Sequence, residues 1–381
     1  MSKITVRFYI WHYIPIYSGA VNALEKLINN LNRDKYEIEV LTTHIKGHKR
    51  VEYINGIKII RVGYGVFGSD GILNFKGKFL FMLGSFYYNL INRKYDIIHF
   101  IGAGKISLPV IFLAKTQGKQ MINKITRVGD DDPETMGKTR LGKLVNRALS
   151  TNTSHLIISP QILEICKRQK NWNIESFYLI PNPVEMIYRK WLDLKLRRDN
   201  YKNANKTRFL FAGVLAKHKG LDVLLTLWEE YNFNAELIIC GVEMPSGGSD
   251  ELIKRINKCE NVTWLGRLNK EDLREQYLSC DAFLFPSLVE GLPNVVLEAM
   301  SLGILCIANL IVGVTDYLLN EERGIVIDNN SIDSWKMEIE KVIEKDECQQ
   351  RMTKNAFDWV LENADAMKVA REIEDLYQRI A

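Results

Sequence analysis

The feature that most restricts the fold of this chain is a regular alternation of β-rich runs and helical stretches, which occurs twice along the sequence. The first series has strand patterns ITVRFYIW, YEIEVLTT, IKIIRV, YDIIHFIG, QMINKITRV and HLIIS, with helical patterns near 21–31, 76–92, 107–116 and 138–150. Strands and helices that alternate in this order favour a parallel, doubly wound α/β sheet.

A second series begins after YLIPNPVEMIY, whose two prolines flank Asn182 and predict a hinge. Strand patterns RFLFAGVL, AELIICG, NVTWLG, DAFLFPS, LCIAN and GIVI alternate there with helical patterns, and the chain from Ser334 onward predicts helices. We therefore predict two doubly wound domains, 1–182 and 183–361, since 381 residues exceed one ordinary core. Two such sheets imply a cleft, with ligands outside the carboxyl ends of the strands.

The cysteines and the apolar segments exclude several classes of protein. Six dispersed cysteines without a C-x-x-C pair favour reduced thiols over disulfides or zinc, and so indicate the cytoplasm. The opening MSKITVRFYIW lacks the features of a signal peptide. Residues 79–91 form an apolar run too short to span a bilayer, which needs about 20 residues. They predict a packed helix, or one that also touches a membrane surface because Lys76, Lys78, Arg93 and Lys94 flank it.

The net charge of +5 conceals an asymmetry between the two halves. Residues 1–184 contain 26 Lys and Arg against 13 Asp and Glu, and residues 185–381 contain 25 against 33. A basic half can meet an anionic membrane or nucleic acid, or can be a solvated surface without a partner. Nucleic acid is disfavoured because the basic residues are dispersed and no recognition motif is present.

Two carboxylates flank the predicted start of a largely apolar helix in SLVEGLPNVVLEAMSLGI. Pro293 suits the first helical turn, so Glu290 is predicted in the preceding loop and Glu298 between one and two turns into the helix. The N–H groups and the positive dipole end near Leu292 to Val295 favour an anion. A sugar joined by diphosphate to a ribose fits this layout. Glu298 in a structural ion pair and Glu290 as an ordinary loop residue are the alternatives.

Two further loops follow predicted strands. FAGVLAKHKGLDVLL carries Gly213, Lys217 and Lys219, and lysines just past a strand's carboxyl end can neutralise phosphates, unless they are simply solvated charges. Near the amino terminus, Gly19 can let backbone approach a ligand. The G-x-G-x-x-G pattern is missing, so binding of NAD or FAD is disfavoured.

RVGDDDPET suggests either a helix start or oxygen ligands. Asp132 as N-cap with Pro133 first in the helix is the plainer interpretation, whereas acceptor contacts from Arg127, Asp130 and Asp131 or an Asp130/Asp132 metal pair are the alternatives. His12 and His99 are predicted at strand ends facing the cleft. Each is either a core histidine or a ligand contact.

Taken together and in this order, these segments resemble the family 4 glycosyltransferases, retaining enzymes whose GT-B fold has two Rossmann-like domains facing a cleft. FLFPSLVEGLPNVVLEAMSLGI is similar to their signature of two glutamates separated by seven residues, including the Pro-Asn variant of bacterial surface-polysaccharide enzymes. GVLAKHKG is similar to their phosphate loop, SGAVNALEKLINNL to their N-terminal glycine loop and helix, YDIIHFIG to their fourth-strand region, IPNPV to their linker and NVTWLGRL to their base-side segment.

The resemblance implies a role for each matching residue. Lys219 would hold the diphosphate and Glu290 the donor sugar, both as catalytic residues, while Glu298 would bind the ribose. The remaining implied donor contacts are Gly19, Gly213, Lys217, Arg267, Gly291, Leu292, Pro293, Asn294 and Val295. Terminal helices of the family often cross back to the first domain, as the helix at about 362–381 would do here.

Two departures from the family pattern are present. Val214 occupies the usual arginine position after the phosphate-loop glycine, where Lys217 can substitute as a cation without the two-pronged grip of a guanidinium. RVGDDD stands where the family usually has a first-domain histidine, which leaves the acceptor contacts undefined.

The resemblance implies retaining transfer of a hexose or N-acetylhexosamine from a nucleotide diphosphate sugar, UDP by family frequency, without metal or cofactor. The basic first half suggests a lipid-linked saccharide acceptor at the inner membrane face, for a cytoplasmic or peripheral enzyme; a soluble acceptor is the alternative. A nucleotide-sugar epimerase and a noncatalytic nucleotide-sugar-binding protein are the other functions considered.

Overall fold

A computed structural model describes residues 3–65, 73–201, 206–244, 248–328, 331–344 and 348–381. The chain divides into two compact domains, Met1–Pro183 together with Ala366–Ala381, and Val184–Asp365. No helix within the described ranges is long and apolar enough to cross a bilayer.

Each domain is built on one sheet. The first has eight strands in the order β3-β4-β2-β1-β5-β6-β7-β8, and the second has six in the order β11-β10-β9-β12-β13-β14. The strands are β1 (Ile4–Tyr9), β2 (Tyr36–Thr43), β3 (Val51–Ile54), β4 (Ile57–Val62), β5 (Ile97–Ile101), β6 (Gln120–Ile125), β7 (Thr153–Ile157), β8 (Phe177–Leu179), β9 (Thr207–Ala212), β10 (Ala235–Cys240), β11 (Val262–Trp264), β12 (Ala282–Phe285), β13 (Leu305–Asn309) and β14 (Ile325–Ile327).

Helices connect most of these strands. They are α1 (Gly19–Asn30), α2 (Phe75–Ile91), α3 (Leu108–Thr116), α4 (Pro133–Met136), α5 (Arg140–Leu149), α6 (Pro160–Lys167), α7 (Trp191–Asp199), α8 (Leu221–Glu230), α9 (Asp250–Ile256), α10 (Lys270–Ser279), α11 (Asn294–Ser301), α12 (Thr315–Leu318), α13 (Asn320–Arg323), α14 (Ile332–Ile343), α15 (Cys348–Asn363) and α16 (Ala366–Ile380).

The predicted fold class of two doubly wound α/β domains is confirmed. Every strand pairing within the described residues is parallel except β3 with β4, and the strand orders require helical crossovers. The central strands of each sheet are buried beneath helices, which explains why they are almost continuously apolar, whereas the edge strand β3 is partly exposed.

The first domain is completed by the carboxyl end of the chain. Helices α1 and α16 pack together against one face of the sheet, where Leu376 and Tyr377 are fully buried. Glu374 accepts a hydrogen bond from the backbone N–H of Asn32 at 2.6 Å, and the Tyr36 hydroxyl donates to the Glu374 carbonyl at 3.1 Å. Residues more than 330 positions apart in the chain thus share one core.

The sequence predictions missed several elements, namely β3, β8, α6, α7, α12 and α13. The antiparallel strand β3 forms a hairpin with β4, closed by Asn55 and Gly56 with φ of 51° and 75°. An Asn-Gly pair is the strongest short hairpin signal, so this strand was detectable in VEYINGIKII. Helices α6 and α7 were also missed, although Pro160 at the first position of α6 favours a helix start.

The cysteines whose side chains are described, Cys166, Cys240, Cys259, Cys280 and Cys306, are free thiols. The side chain of the sixth, Cys348, lies outside the described part of the structure.

Candidate functional site

The residues predicted to bind the donor lie at the carboxyl edge of the second sheet, except Gly19, which belongs to the first domain. Gly213, Lys217 and Lys219 follow β9, the segment from Glu290 to Val295 follows the neighbouring β12, and Arg267 follows β11. In parallel sheets this is the edge where ligands bind. The β9 and β12 loops are adjacent because their strands pair directly.

Backbone contact between these two loops depends on Gly220. It adopts φ of 71°, and a Cβ there would lie 2.1 Å from the carbonyl oxygen of Pro286. The Leu288 N–H donates to the His218 carbonyl at 3.0 Å, and the Ser287 hydroxyl oxygen lies 3.3 Å from the same carbonyl oxygen. The turn Lys217–Lys219 is therefore held against the β12 loop.

Lys219 and Glu290 form an ion pair, with the lysine Nζ 2.5 Å from the glutamate Oε1. The Ser287 hydroxyl donates to the same Oε1 at 2.8 Å. Both charged side chains are largely buried, with 23% and 16% of their surfaces exposed. A partly buried pair of this kind is screened less by salt than a surface pair and orients both groups. The two residues predicted to be catalytic are thus in direct contact.

The orientation of helix α11 explains why Glu298 occurs in an otherwise apolar run. Val296, Leu297, Ala299 and Met300 are completely buried, as the pattern predicted. Asn294, Val295 and Glu298 are partly exposed, and their spacing of three and four places them on one helix face. Glu298 lies between one and two turns from the helix start, as predicted.

The start of α11 differs slightly from the prediction. Pro293 is the N-cap rather than a residue of the first helical turn, and its carbonyl accepts from the N–H groups of Val296 and Leu297 at 3.2 and 3.3 Å. The positive end of the helix dipole therefore lies at Asn294. Gly291 and Leu292 are buried beside it.

The other cations at this edge are more exposed. The Lys217 Nζ lies 3.9 Å from Glu251, a pair whose side chains are 81% and 74% exposed. Arg267 is exposed, and Gly213 and Val214 are partly exposed. The exposed Lys217 pair contributes little stability, so this cation can exchange partners at low cost.

In the first domain, His12 and Gly19 lie on either side of a helix cap. Ser18 caps α1 by accepting from the Val21 N–H at 3.3 Å, and His12 Nε2 lies 2.8 Å from the Ser18 hydroxyl oxygen. Burial lowers the pKa of His12 to about 4, so its ring is neutral at pH 7. Gly19 is the exposed first residue of α1.

The prediction that His99 ends its strand is wrong. It is the third residue of β5, it is fully buried, and its Nδ1 lies 2.8 Å from the Tyr377 hydroxyl on α16. Burial and the nearby Lys124 cation lower the pKa of His99 well below its ordinary value. Strand β5 continues to Ile101, so the histidine belongs to the core of the first domain.

The aspartates of RVGDDDPET organise a loop. Asp132 caps α4, as predicted, by accepting from the Thr135 N–H at 2.8 Å, and its other oxygen accepts from Gly129 at 2.7 Å. Asp131 is buried and accepts from the N–H groups of Thr126 and Arg127 at 2.7 and 2.8 Å.

Burial raises the pKa of Asp131 to about 7, despite these hydrogen bonds. Arg127 and Asp130 are exposed. Among the described residues, no group of three or more histidine, cysteine, aspartate or glutamate side chains is arranged to hold a metal.

Two polar residues escaped the sequence predictions. Ser287 contacts Glu290 directly, and its only signal was its position between a strand and that glutamate. Lys124 is 7% exposed within β6, and burial lowers its pKa to about 8. A lysine inside the otherwise apolar strand pattern QMINKITRV indicates a buried charge, but it was not among the predicted site residues.

Comparisons with known proteins show similarity to glycosyltransferases. Residues 193–359 match the family Glycosyl transferases group 1. The chain is 23% identical over 394 residues to an uncharacterized glycosyltransferase of Methanocaldococcus jannaschii, MJ1607, covering 97% of this chain and 96% of that one. It is 33% identical over 108 residues, 28% of each chain, to the Escherichia coli UDP-Gal:alpha-D-GlcNAc-diphosphoundecaprenol alpha-1,3-galactosyltransferase.

The crystal structure of Anabaena HepE in complex with UDP-glucose has the same fold. Its TM-score is 0.73 at 16% identity, with 99% of this chain and 100% of HepE covered. The similarity therefore extends over both domains.

Proposed function

We propose that this chain is a glycosyltransferase that transfers a hexose or N-acetylhexosamine from UDP to a hydroxyl with retention of configuration. The match of residues 193–359 to Glycosyl transferases group 1 and the two-domain fold support this proposal. The observation that carries the proposal is the contact between Lys219, Glu290 and Ser287 beside the start of α11. HepE binds UDP-glucose on the same fold, which supports a uridine donor.

In the proposed site, the donor diphosphate lies between Lys219 and the N-terminal end of α11. An ammonium has three donors, so Lys219 can keep Glu290 and still donate to a phosphate oxygen. Glu290 then faces the sugar and Glu298 accepts from the ribose hydroxyls, with Arg267 on the base side. Lys217 supplies a further positive charge in place of the arginine that Val214 replaces.

The proposed chemistry needs no protein nucleophile. The bond between the anomeric carbon and the phosphate oxygen breaks while the acceptor oxygen bonds to the same face of that carbon. The acceptor proton passes to the departing phosphate oxygen. Lys219 and the helix dipole stabilise the charge that develops on the diphosphate, which is where preorganised electrostatics act most strongly.

We propose a lipid-linked saccharide as acceptor and a cytoplasmic site of action, supported by the excess of cations in residues 1–184. The E. coli relative named above acts on a diphosphoundecaprenol-linked sugar, which supports the same acceptor class. The proposed reaction is metal-independent, so transfer should persist in chelator.

Substitution Glu298→Ala tests the donor site. A carboxylate that accepts from hydroxyls contributes roughly 1.5–3 kcal/mol, so the affinity for UDP should fall about 10- to 100-fold. Titration calorimetry with UDP measures this change. Glu230→Ala, which removes an exposed glutamate at the end of α8, is the matched control and should bind like the parent. Unchanged UDP affinity in Glu298→Ala would contradict the assigned role.

A further inference from the structure

Helix α2 exposes a continuous row of large apolar side chains. Phe75, Phe79, Leu83, Tyr87 and Ile91 are 85%, 47%, 48%, 63% and 59% exposed. They recur every fourth residue, so the row winds slowly around the helix by about 40° per step. The buried residues Gly77, Phe81, Ser85 and Asn89 form a parallel row that faces the domain.

The row continues onto two neighbouring helices. Helix α2 packs against α3, and α3 packs against α5, so the three helices form one side of the first domain. Phe112 on α3 is 44% exposed, and Leu141 and Leu144 on α5 are 56% and 41% exposed. We call the exposed side chains of α2, α3 and α5 the basic helical face.

The charge of this face has a single sign. None of the three helices contains an aspartate or glutamate, whereas together they carry Lys76, Lys78, Lys115, Arg140, Lys143 and Arg147. The adjoining helix α4 carries Glu134, which lies 3.9 Å from Arg168, a residue outside the basic helical face. Arg93 and Lys94 extend the positive charge just beyond the end of α2.

Exposed apolar side chains on three helices whose charged residues are all cations match the chemistry of one surface in particular. The interface of an anionic bilayer offers phosphate groups to lysine and arginine, and it accepts aromatic and aliphatic side chains at the boundary of the acyl chains. Aromatic residues are enriched at that depth. A second copy of this face would bring cation against cation.

We propose that the basic helical face docks the protein on an anionic membrane surface, with α2 lying in the plane of the interface. The inference deepens the proposed function by specifying where the chain meets the bilayer that would carry a lipid-linked acceptor. Docking itself requires neither donor nor transfer, so the two proposals can fail independently.

The test is sedimentation of the purified full-length protein with vesicles of phosphatidylcholine alone or of phosphatidylcholine mixed with phosphatidylglycerol. Binding should require the anionic lipid and should weaken at high salt, because counterions screen the phosphate surface. Equal binding to both vesicle types, or no binding to either, would overturn the proposal.

Charge reversal locates the surface. Each cation near an anionic leaflet strengthens partitioning roughly fivefold, so K143E/R147E should weaken vesicle binding at least about 30-fold. K35E/K49E reverses two exposed cations of the same domain outside the face and is the matched control. Equal effects of the two pairs would show that only net charge matters and would reject a defined docking face.

Removal of apolar side chains tests the second component. F79S/Y87S should weaken binding to anionic vesicles by about tenfold or more, since two partly inserted rings are lost. Y53S removes a ring that is 70% exposed on β3 and should bind like the parent. A monomer–dimer equilibrium that F79S/Y87S abolishes without changing vesicle binding would assign the face to a second copy instead.

UDP titration of the same variants separates the two proposals. Preserved UDP binding with loss of vesicle binding in K143E/R147E supports the docking face. If the parent protein binds anionic vesicles but has no measurable affinity for UDP, the proposed donor is rejected and the docking face is retained.

Discussion

Ser287 is fully buried, yet its hydroxyl contacts two loops at once. It donates at 2.8 Å to Glu290, which also receives Lys219, and lies 3.3 Å from the His218 carbonyl. A glutamate held by two donors has few orientations available, so the hydroxyl positions a group proposed to face the sugar. Individual residues of this kind set the accuracy of the site rather than the fold.

We expect Ser287→Ala to lower kcat about tenfold while the affinity for UDP changes less than threefold. The loss corresponds to one hydrogen bond to a charged group, about 1.5 kcal/mol at the lower end of its range. Steady-state kinetics and UDP titration separate the two quantities. Ser301→Ala is the control, because this buried hydroxyl donates only within its own helix, to the Glu298 carbonyl at 2.7 Å. Equal kcat values for the parent and Ser287→Ala would remove the positioning role.

Buried neutral histidines make the first domain sensitive to acid. His155 stacks on Trp172 at 4.1 Å, its Nε2 lies 3.2 Å from the Leu149 carbonyl, and burial lowers its pKa from 6.5 to about 3. Between these two pH values, His155 therefore binds a proton in the unfolded chain but not in the folded domain. This contribution to stability is complete above about pH 6.5 and is lost as the pH falls toward 3.

Because of His155, the free energy of unfolding of the parent should fall by about 1.4 kcal/mol for each pH unit below 6.5. His155→Gln should remove this part of the pH dependence. Urea denaturation of the first domain at several pH values measures this slope. His218→Gln, at an exposed position in the second domain, should leave the first-domain slope unchanged. A slope identical to the parent's in His155→Gln would show that this histidine is already protonated in the folded domain.

At the scale of elements, loops that follow neighbouring strands meet through close backbone contacts as well as through side chains. Gly220 reaches the Pro286 carbonyl, and Gly241, with φ of 152°, reaches the Gly213 carbonyl so closely that a Cβ would lie 1.7 Å from its oxygen. These contacts hold the β9, β10 and β12 loops in one arrangement. Gly220 ends the GVLAKHKG segment that resembles a phosphate loop, whereas Gly241 belongs to no phosphate-binding pattern, so the importance of Gly241 follows from strand order.

Gly220→Ala should destabilise the second domain by about 2 to 4 kcal/mol, combining a left-handed backbone with a clash at Pro286. Gly266→Ala is the matched control, since its φ of 67° is similar but a Cβ there would meet no described atom within 4 Å. It should lose only about 1 kcal/mol. Thermal unfolding compares the two, and equal losses would exclude the contact with Pro286 as a cause.

At the scale of the whole molecule, the chain returns to the first domain after completing the second. Helix α16 places Tyr377 beside His99 and packs against α1, so the first core includes residues from both ends of the sequence. Truncating the last 16 residues would therefore uncover the core of a domain that begins with β1.

Leu376→Ala should destabilise the first domain by about 2 to 4 kcal/mol, because this side chain is fully buried and its loss leaves a cavity. Met367→Ala, at a position 45% exposed on the same helix, should cost less than about 1 kcal/mol. Calorimetry should show the first-domain transition shifting only in Leu376→Ala. An unchanged first-domain transition would mean that α16 is not part of that core.

Much of the fold was predictable because strand and helix periodicity report burial directly. The elements missed were those with weak periodicity, such as α7, or those marked by turn chemistry, such as the β3–β4 hairpin at Asn55 and Gly56. The site was less predictable. Sequence order indicated that Lys219 and Glu290 both follow strands, but not that they pair with each other.

By itself, the sequence determined the two α/β domains, the buried helix around Glu298 and the cap at Asp132, because local periodicity and capping act within a few residues. Only tertiary structure decided that His99 belongs to the core, that Ser287 binds Glu290, and that three helices free of acidic residues share one face. These outcomes depend on strand order and on contacts between distant parts of the chain. Local sequence patterns do not encode those distances.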